Sequence, residues 1–395
     1  MANREALKLS QPEQDAHWMQ HALMLAEKGR YSTRPNPAVG CVIVKDGHRV
    51  GEGWHPKAGE PHAEVFALRQ AGELARGATA YVTLEPCSHF GKTPPCADAL
   101  VAAGVSRVVL AMQDPNPKVS GRGIVRLQSA GIEVVNNLMA DQASVLNQGF
   151  IKFMQTQKPF VRLKLASSVD GRTAMASGES LWITGDAARQ EVHKLRARHG
   201  AIITGIGTVL ADDPSMNVRL PDAMLADMGL DQALCHPIRV VLDPNLSMPL
   251  EAKMLSLPGR TLLMTAPQTV ENSTSLVEAL LAKGIEIVAV QAQEDRLDLE
   301  SVLDYLAKEE QVYDVMIESG ASVAGAFVEA GLVDELHWFV APHLMGHKGK
   351  PLLVLPQIDS MAERISLKPQ SVSQVGDDWH FVFSFVGNDI SENRE

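Results

Sequence analysis

A histidine, a glutamate and two widely spaced cysteines put the tightest demand on how this chain can fold. The stretch opens with His62-Ala63-Glu64, crosses a short apolar run from Tyr81 to Leu84, and closes with Pro86-Cys87 and then Cys96. One imidazole and two thiolates fill three corners of a tetrahedral zinc site and leave the fourth for water. Bound zinc lowers the pKa of that water from about 15.7 towards roughly 7. Two thiolates already cancel the ion's two positive charges, so an adjacent base that takes and returns protons becomes important. Glu64 suits that task. Positions two apart on a regular helix face away from each other, so His62 and Glu64 can share one metal only at the mouth of a helix. Pro61 suits such a start.

His-x-Glu followed by Pro-Cys and a second Cys is the pattern of zinc-dependent deaminases, in which the glutamate shuttles protons and is not a ligand. Here eight residues separate the thiols, against two in the usual Cys-x-x-Cys. The insertion contains His89, Lys92 and two prolines, which makes it a stiff loop able to offer a donor and a positive charge to a substrate. A structural zinc knuckle is the plainer alternative. It usually needs four protein ligands, and no fourth sits at ligand spacing unless His89 is recruited.

At 395 residues the chain suggests two or three domains. No apolar run reaches the roughly 18 residues of a membrane span, and the polar first fifteen residues do not read as a secretory signal. Of four cysteines, Cys41 and Cys235 lie outside the metal motif and are expected to be buried thiols rather than a disulfide. The cytoplasm is the expected compartment. Net charge is −11, from 47 acidic against 36 basic residues. A nucleic-acid binder normally carries a basic stripe, so the acidity favours a small-molecule substrate and no nucleic-acid partner.

Taken in order, Glu13 to Lys28 reads as an amphipathic helix ending at Gly29. Thr33 to Gly40 is a loop stiffened by two prolines around Asn36, which serves either as a turn former or as a carboxamide for a heterocycle. Strand Val39–Val44, the turn Asp46-Gly47 and strand Val50–Trp54 form a hairpin that ends in His55. Helix His62–Gln70, strand Tyr81–Leu84, helix Cys96–Ala103, strand Arg107–Met112, helix Arg122–Ala130 and strand Ile132–Val135 follow. Such alternation implies a sheet covered by helices on both faces. Asp114-Pro115-Asn116-Pro117 is a second stiff loop with a central Asn.

The polar stretch Gln155–Pro159 marks the preferred boundary, giving domains of residues 1–157 and 158–395. Strand Phe160–Ala166 begins a fresh pattern, with helix Asp186–Ala197 capped by Thr184 or Asp186. Strand Ala201–Thr204 runs into Gly205-Ile206-Gly207-Thr208, where a phosphate can approach backbone N–H groups. Residues 221–236 read as a surface insertion, and short strands follow at Ile238–Leu242, Thr261–Thr265 and Ile285–Val290. Strand Tyr313–Ile317 leads into Glu318-Ser319-Gly320-Ala321-Ser322-Val323-Ala324-Gly325 and a helix. Small residues there suit either a dinucleotide diphosphate or tight helix packing.

With both halves in view, the chain resembles the bifunctional deaminase and reductase family of bacterial riboflavin biosynthesis from end to end. The front half matches through Asn36-Pro37-x-Val39-Gly40, His62-Ala63-Glu64 and Pro86-Cys87-Ser88-His89-x-Gly91-x-Thr93-Pro94-Pro95-Cys96. The back half matches through Leu163-Lys164-x-Ala166-x-Ser168-x-Asp170-Gly171, Ser180-x-Trp182-Ile183-Thr184, Gly205-x-Gly207-Thr208-Val209, Asp212-Asp213-Pro214 and Glu318-x-Gly320. Ser319 stands where many members have Gly.

The resemblance implies an α/β chain with an N-terminal cytidine-deaminase-like α/β/α sandwich and a C-terminal dihydrofolate-reductase-like domain. It implies one zinc per chain on His62, Cys87 and Cys96, with Glu64 relaying protons as 2,5-diamino-6-ribosylamino-4(3H)-pyrimidinone 5′-phosphate loses ammonia. It then implies NADPH-dependent reduction of the ribosyl group at C1′. Asn36, His55 and Asn116 are implied to hold the pyrimidine and ribose, with His89 and Lys92 on the phosphate side. Ala166, Trp182, Thr208, Asp212 and Gly320, Ala321, Ser322, Val323, Ala324, Gly325 and Ala326 are implied for NADPH. Ser180, Arg196, Met216, Arg219 and Glu318 are implied for the second substrate, the guanidinium forks of Arg196 and Arg219 matching a phosphate. Lys164, Asp212 and Glu318 stay open as proton donors to the ribose ring oxygen. Family members are homo-oligomers, so a dimer or tetramer is expected. A nucleic-acid deaminase is the competing reading, but it calls for aromatic stacking platforms, and only 5% of residues are aromatic.

Overall fold

The computed structural model of the chain describes residues 10–88, 94–117, 119–180, 182–232, 235–293 and 296–386. Two compact units emerge. The first runs through Thr156 and includes Ala226–Leu230; the second comprises Gln157–Leu225 and the chain from Asp231 onward.

In the first unit the elements are α1 (Gln11–Glu27), β1 (Gly40–Lys45), β2 (His48–Trp54), α2 (Ala63–Ala71), β3 (Thr79–Val82) and α3 (Cys96–Ala103). Then come β4 (Arg107–Leu110), α4 (Arg122–Ser129), β5 (Glu133–Val135), α5 (Ala140–Leu146) and α6 (Gln148–Thr156). The sheet order is β2-β1-β3-β4-β5. Its first two pairings are antiparallel and the rest parallel. Asp46 and Gly47 both take positive φ, 51° and 75°, the geometry of a two-residue hairpin turn. Alternation along β1 sends Cys41 and Ile43 into one core with Ala63, Ala67, Leu100 and Leu127. Its other face packs on α1. The result is the three-layer sandwich expected from the alternating pattern.

The helix that carries His62 and Glu64 is seated by an absence of side chains. Gly51 and Gly53 on β2 lie under Ala63, Ala67 and Ala71, a stripe of small residues one turn apart on α2. A Cβ at Gly51 would sit 2.1 Å from the Ala67 carbonyl oxygen, and one at Gly53 would sit 2.6 Å from that of Ala63. On the opposite face, buried Asp15 of α1 accepts from Tyr81 Oη at 2.8 Å and from both terminal nitrogens of Arg107, each at 2.8 Å. Burial pushes the Asp15 carboxyl up, but the Arg107 and Tyr81 hydrogen bonds outweigh it and leave the pKa below its ordinary value.

The second unit opens with β6 (Phe160–Ser168), β7 (Arg172–Ala174), α7 (Asp186–Arg198), β8 (Ala201–Gly205), α8 (Ile206–Asp212), α9 (Asp222–Asp227) and β9 (Ile238–Leu242). It continues with β10 (Thr261–Thr265), α10 (Pro267–Asn272), α11 (Thr274–Ala282), β11 (Glu286–Ala289), β12 (Ala292–Gln293), β13 (Arg296–Leu297) and α12 (Leu299–Lys308). Last come β14 (Asp314–Ile317), α13 (Ala321–Glu329), β15 (Glu335–Ala341), β16 (Lys350–Pro351), β17 (Leu367–Val375) and β18 (Asp378–Phe385). Nine strands form one sheet in the order β11-β10-β9-β8-β14-β6-β15-β18-β17. It is parallel from β11 to β15, with an antiparallel hairpin at its edge. Ile203 and Ile317 enter one core while Ile202 and Met316 enter the other. That two-sided burial explains why these strands read as unbroken apolar runs.

Two local expectations are corrected. Gly185, not Thr184 or Asp186, occupies the cap position of α7, and the Asp378 carboxylate accepts its N–H at 2.7 Å. A tertiary contact thus replaces the local cap. The stretch 221–236 is not wholly surface: it contains α9, and Leu225, Leu230 and Cys235 are buried.

Two outcomes follow from the first unit. Gly53→Ala forces a Cβ into the backbone of α2, an overpacking cost of about 1–3 kcal/mol. Because the helix start moves with it, metal bound per chain, measured by atomic spectroscopy, is expected to fall. Asp15→Ala removes the acceptor of both Arg107 terminal nitrogens and of Tyr81, leaving Arg107 with Glu133 alone, and costs this unit about 1.5–3 kcal/mol at neutral pH, read as the shift of its calorimetric transition. Since the folded pKa of Asp15 is depressed, the stabilisation is complete above the unfolded value near pH ~4 and disappears as pH falls through the lower folded value. The gap between wild type and variant therefore narrows on acidification.

Candidate active sites

His62 is the residue immediately before α2, with extended backbone (φ −73°, ψ 165°). Its ring therefore splays off the helix mouth, and Glu64 in the first turn can approach the same point. Cys96 is the first residue of α3, preceded by Pro95. Cys87 lies on the segment beyond β3, where its carbonyl accepts from Ala97 N–H and its sulfur from Cys96 N–H at 3.3 Å. His62 Nδ1 lies 3.3 Å from Cys96 Sγ and 3.7 Å from Cys87 Sγ, and the three donor atoms fall within 4.8 Å of one another. Zinc–donor bonds of about 2.0–2.3 Å at tetrahedral angles place such donors about 3.6–3.8 Å apart. The three side chains fit that ion.

The electrostatics agree with this placement. The Cys96 thiol and His62 hold the Cys87 pKa far down, while Cys96, beside that thiolate and buried, is pushed up. A dication in their midst would ionise both. Glu64 is 3% exposed, and its Oε2 has no hydrogen-bond partner among the described residues. Burial, with the Cys87 charge added, pushes its carboxyl up to about 7. A carboxyl balanced near neutrality, with one oxygen left free among the described residues, is equipped to pass a proton to a bound molecule.

Around this cluster, His55 Nδ1 lies 3.1 Å from Pro61 O and Nε2 lies 3.1 Å from Asn36 Nδ2. Burial keeps His55 neutral by lowering its pKa. Its Nδ1–H therefore donates to Pro61 and its Nε2 accepts from Asn36. That bond fixes the orientation of the Asn36 carboxamide. His55 also meets the His62 ring edge to face at 5.3 Å. Asn116 heads a turn in the loop before α4, its carbonyl accepting from Val119 and Ser120. His89 and Lys92 lie outside the described residues.

In the second unit a hollow of about 590 Å³ opens at the C-terminal ends of β6, β8 and β14, where ligands bind in open parallel sheets. Ala166, Ser180, Arg196, Thr208, Asp212, Met216, Glu318, Gly320, Ala321, Ser322 and Val323 all line it. Arg196 grips Glu318 with two hydrogen bonds, at 2.7 and 2.9 Å, and Lys164 Nζ lies 3.6 Å away. Burial would raise the Glu318 pKa, but the charges of Arg196 and Lys164 hold it down at about 2. Thr208 Oγ1 accepts from Gly320 N–H at 3.1 Å, joining the two turns at the floor. A second hollow of about 400 Å³, lined by Leu242, Pro244, Arg296 and Ala326, shares Gly205, Gly207, Ser322, Val323 and Val354 with the first.

Some sequence-derived positions fall elsewhere. Trp182 is 68% exposed, lies beneath the Arg189 guanidinium at 4.5 Å, and is not on the wall of either hollow. Ala324 is buried in the core, and Gly325 packs so closely on Val354 that a Cβ would lie 1.9 Å from its carbonyl oxygen. Both serve helix packing. Arg219 lies off the hollow's lining, its Nη1 donating to Asn217 Oδ1 at 2.7 Å. Lys350, Leu352 and Val354 complete the wall, and no periodicity pointed to them. His193 was also missed: its Nδ1 accepts from Arg219 N–H at 3.2 Å, and burial together with Arg196 lowers its pKa to about 4. Its spacing of three from Arg196 on one helix was the available signal.

Comparison with known proteins agrees with both halves. Residues 12–112 match the cytidine and deoxycytidylate deaminase zinc-binding region, and residues 159–381 match the RibD C-terminal domain. The chain is 49% identical to the riboflavin biosynthesis protein RibD of Escherichia coli K12 over 92% of its length and 98% of that protein. It is 43% identical to RibD of Bacillus amyloliquefaciens over 92% of its length and 94% of that protein. Among solved structures, Acinetobacter baumannii RibD superposes with a TM-score of 0.85 at 48% identity, covering 95% of this chain and all of that one. The diaminohydroxyphosphoribosylaminopyrimidine deaminase/5-amino-6-(5-phosphoribosylamino)uracil reductase of Thermotoga maritima superposes at 0.81 with 30% identity, again over 95% of this chain and all of that one. This degree of identity along both units makes the chain a member of the RibD family, a bifunctional deaminase and reductase of riboflavin biosynthesis that uses zinc and NADPH.

Proposed function

We propose that the first unit removes the C2 amino group of 2,5-diamino-6-ribosylamino-4(3H)-pyrimidinone 5′-phosphate, and that the second reduces the ribosyl carbon C1′ of the product to give 5-amino-6-ribitylamino-uracil 5′-phosphate. The observation that carries the first half is the buried, unpartnered Glu64 oxygen beside three metal donors. When bound, zinc on His62, Cys87 and Cys96 supplies an activated water, and NADPH in the second unit supplies a hydride. Glu64 takes a proton from that water and returns it to the departing nitrogen, so water enters and ammonia leaves. Asn36, oriented by His55, and Asn116 hold the ring.

In the second unit Ala166, Thr208, Asp212 and the Gly320–Val323 turn, which line the larger hollow, would hold NADPH. Ser180 and Met216 line the substrate side. Glu318, ionised at neutral pH, orients Lys164 and Arg196 and does not serve as the acid. With Asp212 assigned to NADPH, Lys164 delivers the proton to the ribose ring oxygen as the ring opens and C1′ is reduced. Arg196 shares a carboxylate, whereas Arg219 is held by a neutral amide, and its charge is available to the 5′-phosphate. We also propose a homo-oligomer working in the cytoplasm. The unpaired cysteines suit a reducing compartment, and Val372, Trp379 and Val386 expose apolar surface at the sheet edge.

Supplied with substrate, the protein is expected to release ammonia and then consume NADPH absorbance. Glu64→Gln keeps its zinc and slows ammonia release by about 10²–10⁴-fold; an ammonia assay beside metal analysis reads both, and full activity removes the proton-relay role. Arg219→Ala loses a charged hydrogen bond worth about 1.5–3 kcal/mol. The KM of the reduction is expected to rise roughly 10- to 100-fold with kcat little changed, measured by feeding the deaminated intermediate directly.

A further inference from the structure

The residue before Pro86-Cys87 is Glu85, a carboxylate that is 3% exposed. Its two oxygens take four backbone N–H groups from the loop before α4 and from the first turn of α4: Oε2 accepts from Asp114 at 3.1 Å and Gly121 at 2.9 Å, and Oε1 from Gly123 at 2.8 Å and Ile124 at 3.2 Å. The Glu85 N–H in turn donates to Met112 O. Both ends of the segment Asp114–Gly121 are therefore tied to one side chain, and Asn116 sits between the ties. Asn116 is itself set by its N–H to Asp114 Oδ1 at 2.8 Å and by Val119 and Ser120 donating to its carbonyl. Gly123 approaches so closely that a Cβ there would lie 2.2 Å from Pro86 O. The loop is thus clamped to the arm that carries Cys87.

We propose that Glu85 is a positioning residue for deamination: it sets the distance between the Asn116 carboxamide and the metal by binding the Asn116 loop to the residues leading into Cys87. This rests on the reading of Asn116 as a substrate contact. A carboxylate is required because only an acceptor at both oxygens satisfies four donors. Glutamine keeps the shape and turns one oxygen into an NH₂ that faces two N–H groups, so one half of the clamp becomes repulsive.

The test uses the full-length, zinc-loaded protein. In Glu85→Gln the zinc content and the reduction of supplied intermediate stay at wild-type values, while the deamination KM rises about tenfold or more and kcat changes less. The double variant Glu85→Gln/Asn116→Ala is then no worse in KM than Asn116→Ala alone, because both changes remove one contact. A wild-type KM in Glu85→Gln while Asn116→Ala raises it overturns the proposal and spares the Asn116 reading; a wild-type KM in Asn116→Ala overturns that reading itself. Should Glu85→Gln fail to hold zinc, Glu85→Asp, which keeps the charge, is measured. A zinc-loaded aspartate variant with raised KM supports the proposal, and loss of zinc in both assigns Glu85 a purely structural role and overturns it.

Discussion

A helix can rest on a strand at backbone distance only where nothing stands between them. Gly51 and Gly53 meet Ala63, Ala67 and Ala71 on those terms, and the chemistry of the first unit follows from the contact. It places the mouth of α2 at a defined height above the sheet, so the imidazole of His62 and the carboxyl of Glu64 emerge beside the start of α3. Each of the three donors stands at or near a helix start or a strand end, where the backbone direction is already decided by the sheet. A cluster assembled this way needs no long flexible arm, and little entropy is lost when a cation enters.

The second unit solves a different problem, that of holding several cations on the wall of one hollow. Arg196 is buried and Lys164 half-buried, and both lean on Glu318. Desolvation of three charged groups is costly, and it is offset by their mutual attraction in a weakly screened interior. Two cations face the single carboxylate, so positive charge is in excess even before Arg219 is counted. An ion pair of this kind adds little to stability; its effect is to hold these side chains in fixed positions.

Much of this was readable from residue order. The apolar run of β1, the Asp46-Gly47 turn and the helix starting at Cys96 all depend on neighbours close in sequence, and they appear where expected. So do the β14 strand and the small-residue turn after it. Where local chemistry was outvoted, tertiary partners did it: Asp378 supplies what Thr184 or Asp186 was expected to supply, Gly325 is crowded by the Val354 backbone, and Ala324 faces the core. Trp182 lies against Arg189 instead of the cleft wall, a placement decided by side-chain packing.

From the order of residues alone came the metal donors, the carboxyl beside them, the two-unit layout and the pairing of two reactions, because metal and cofactor chemistry restrict both residue type and spacing. The folded chain alone decided that Glu64 is desolvated with one oxygen unpartnered among the described residues, that Glu318 is ionised, and that Glu85 gathers four amides from the loop before α4 and the first turn of that helix. Burial and hydrogen bonding to distant backbone are properties of a residue's surroundings in space, and those surroundings come from segments that no local pattern connects.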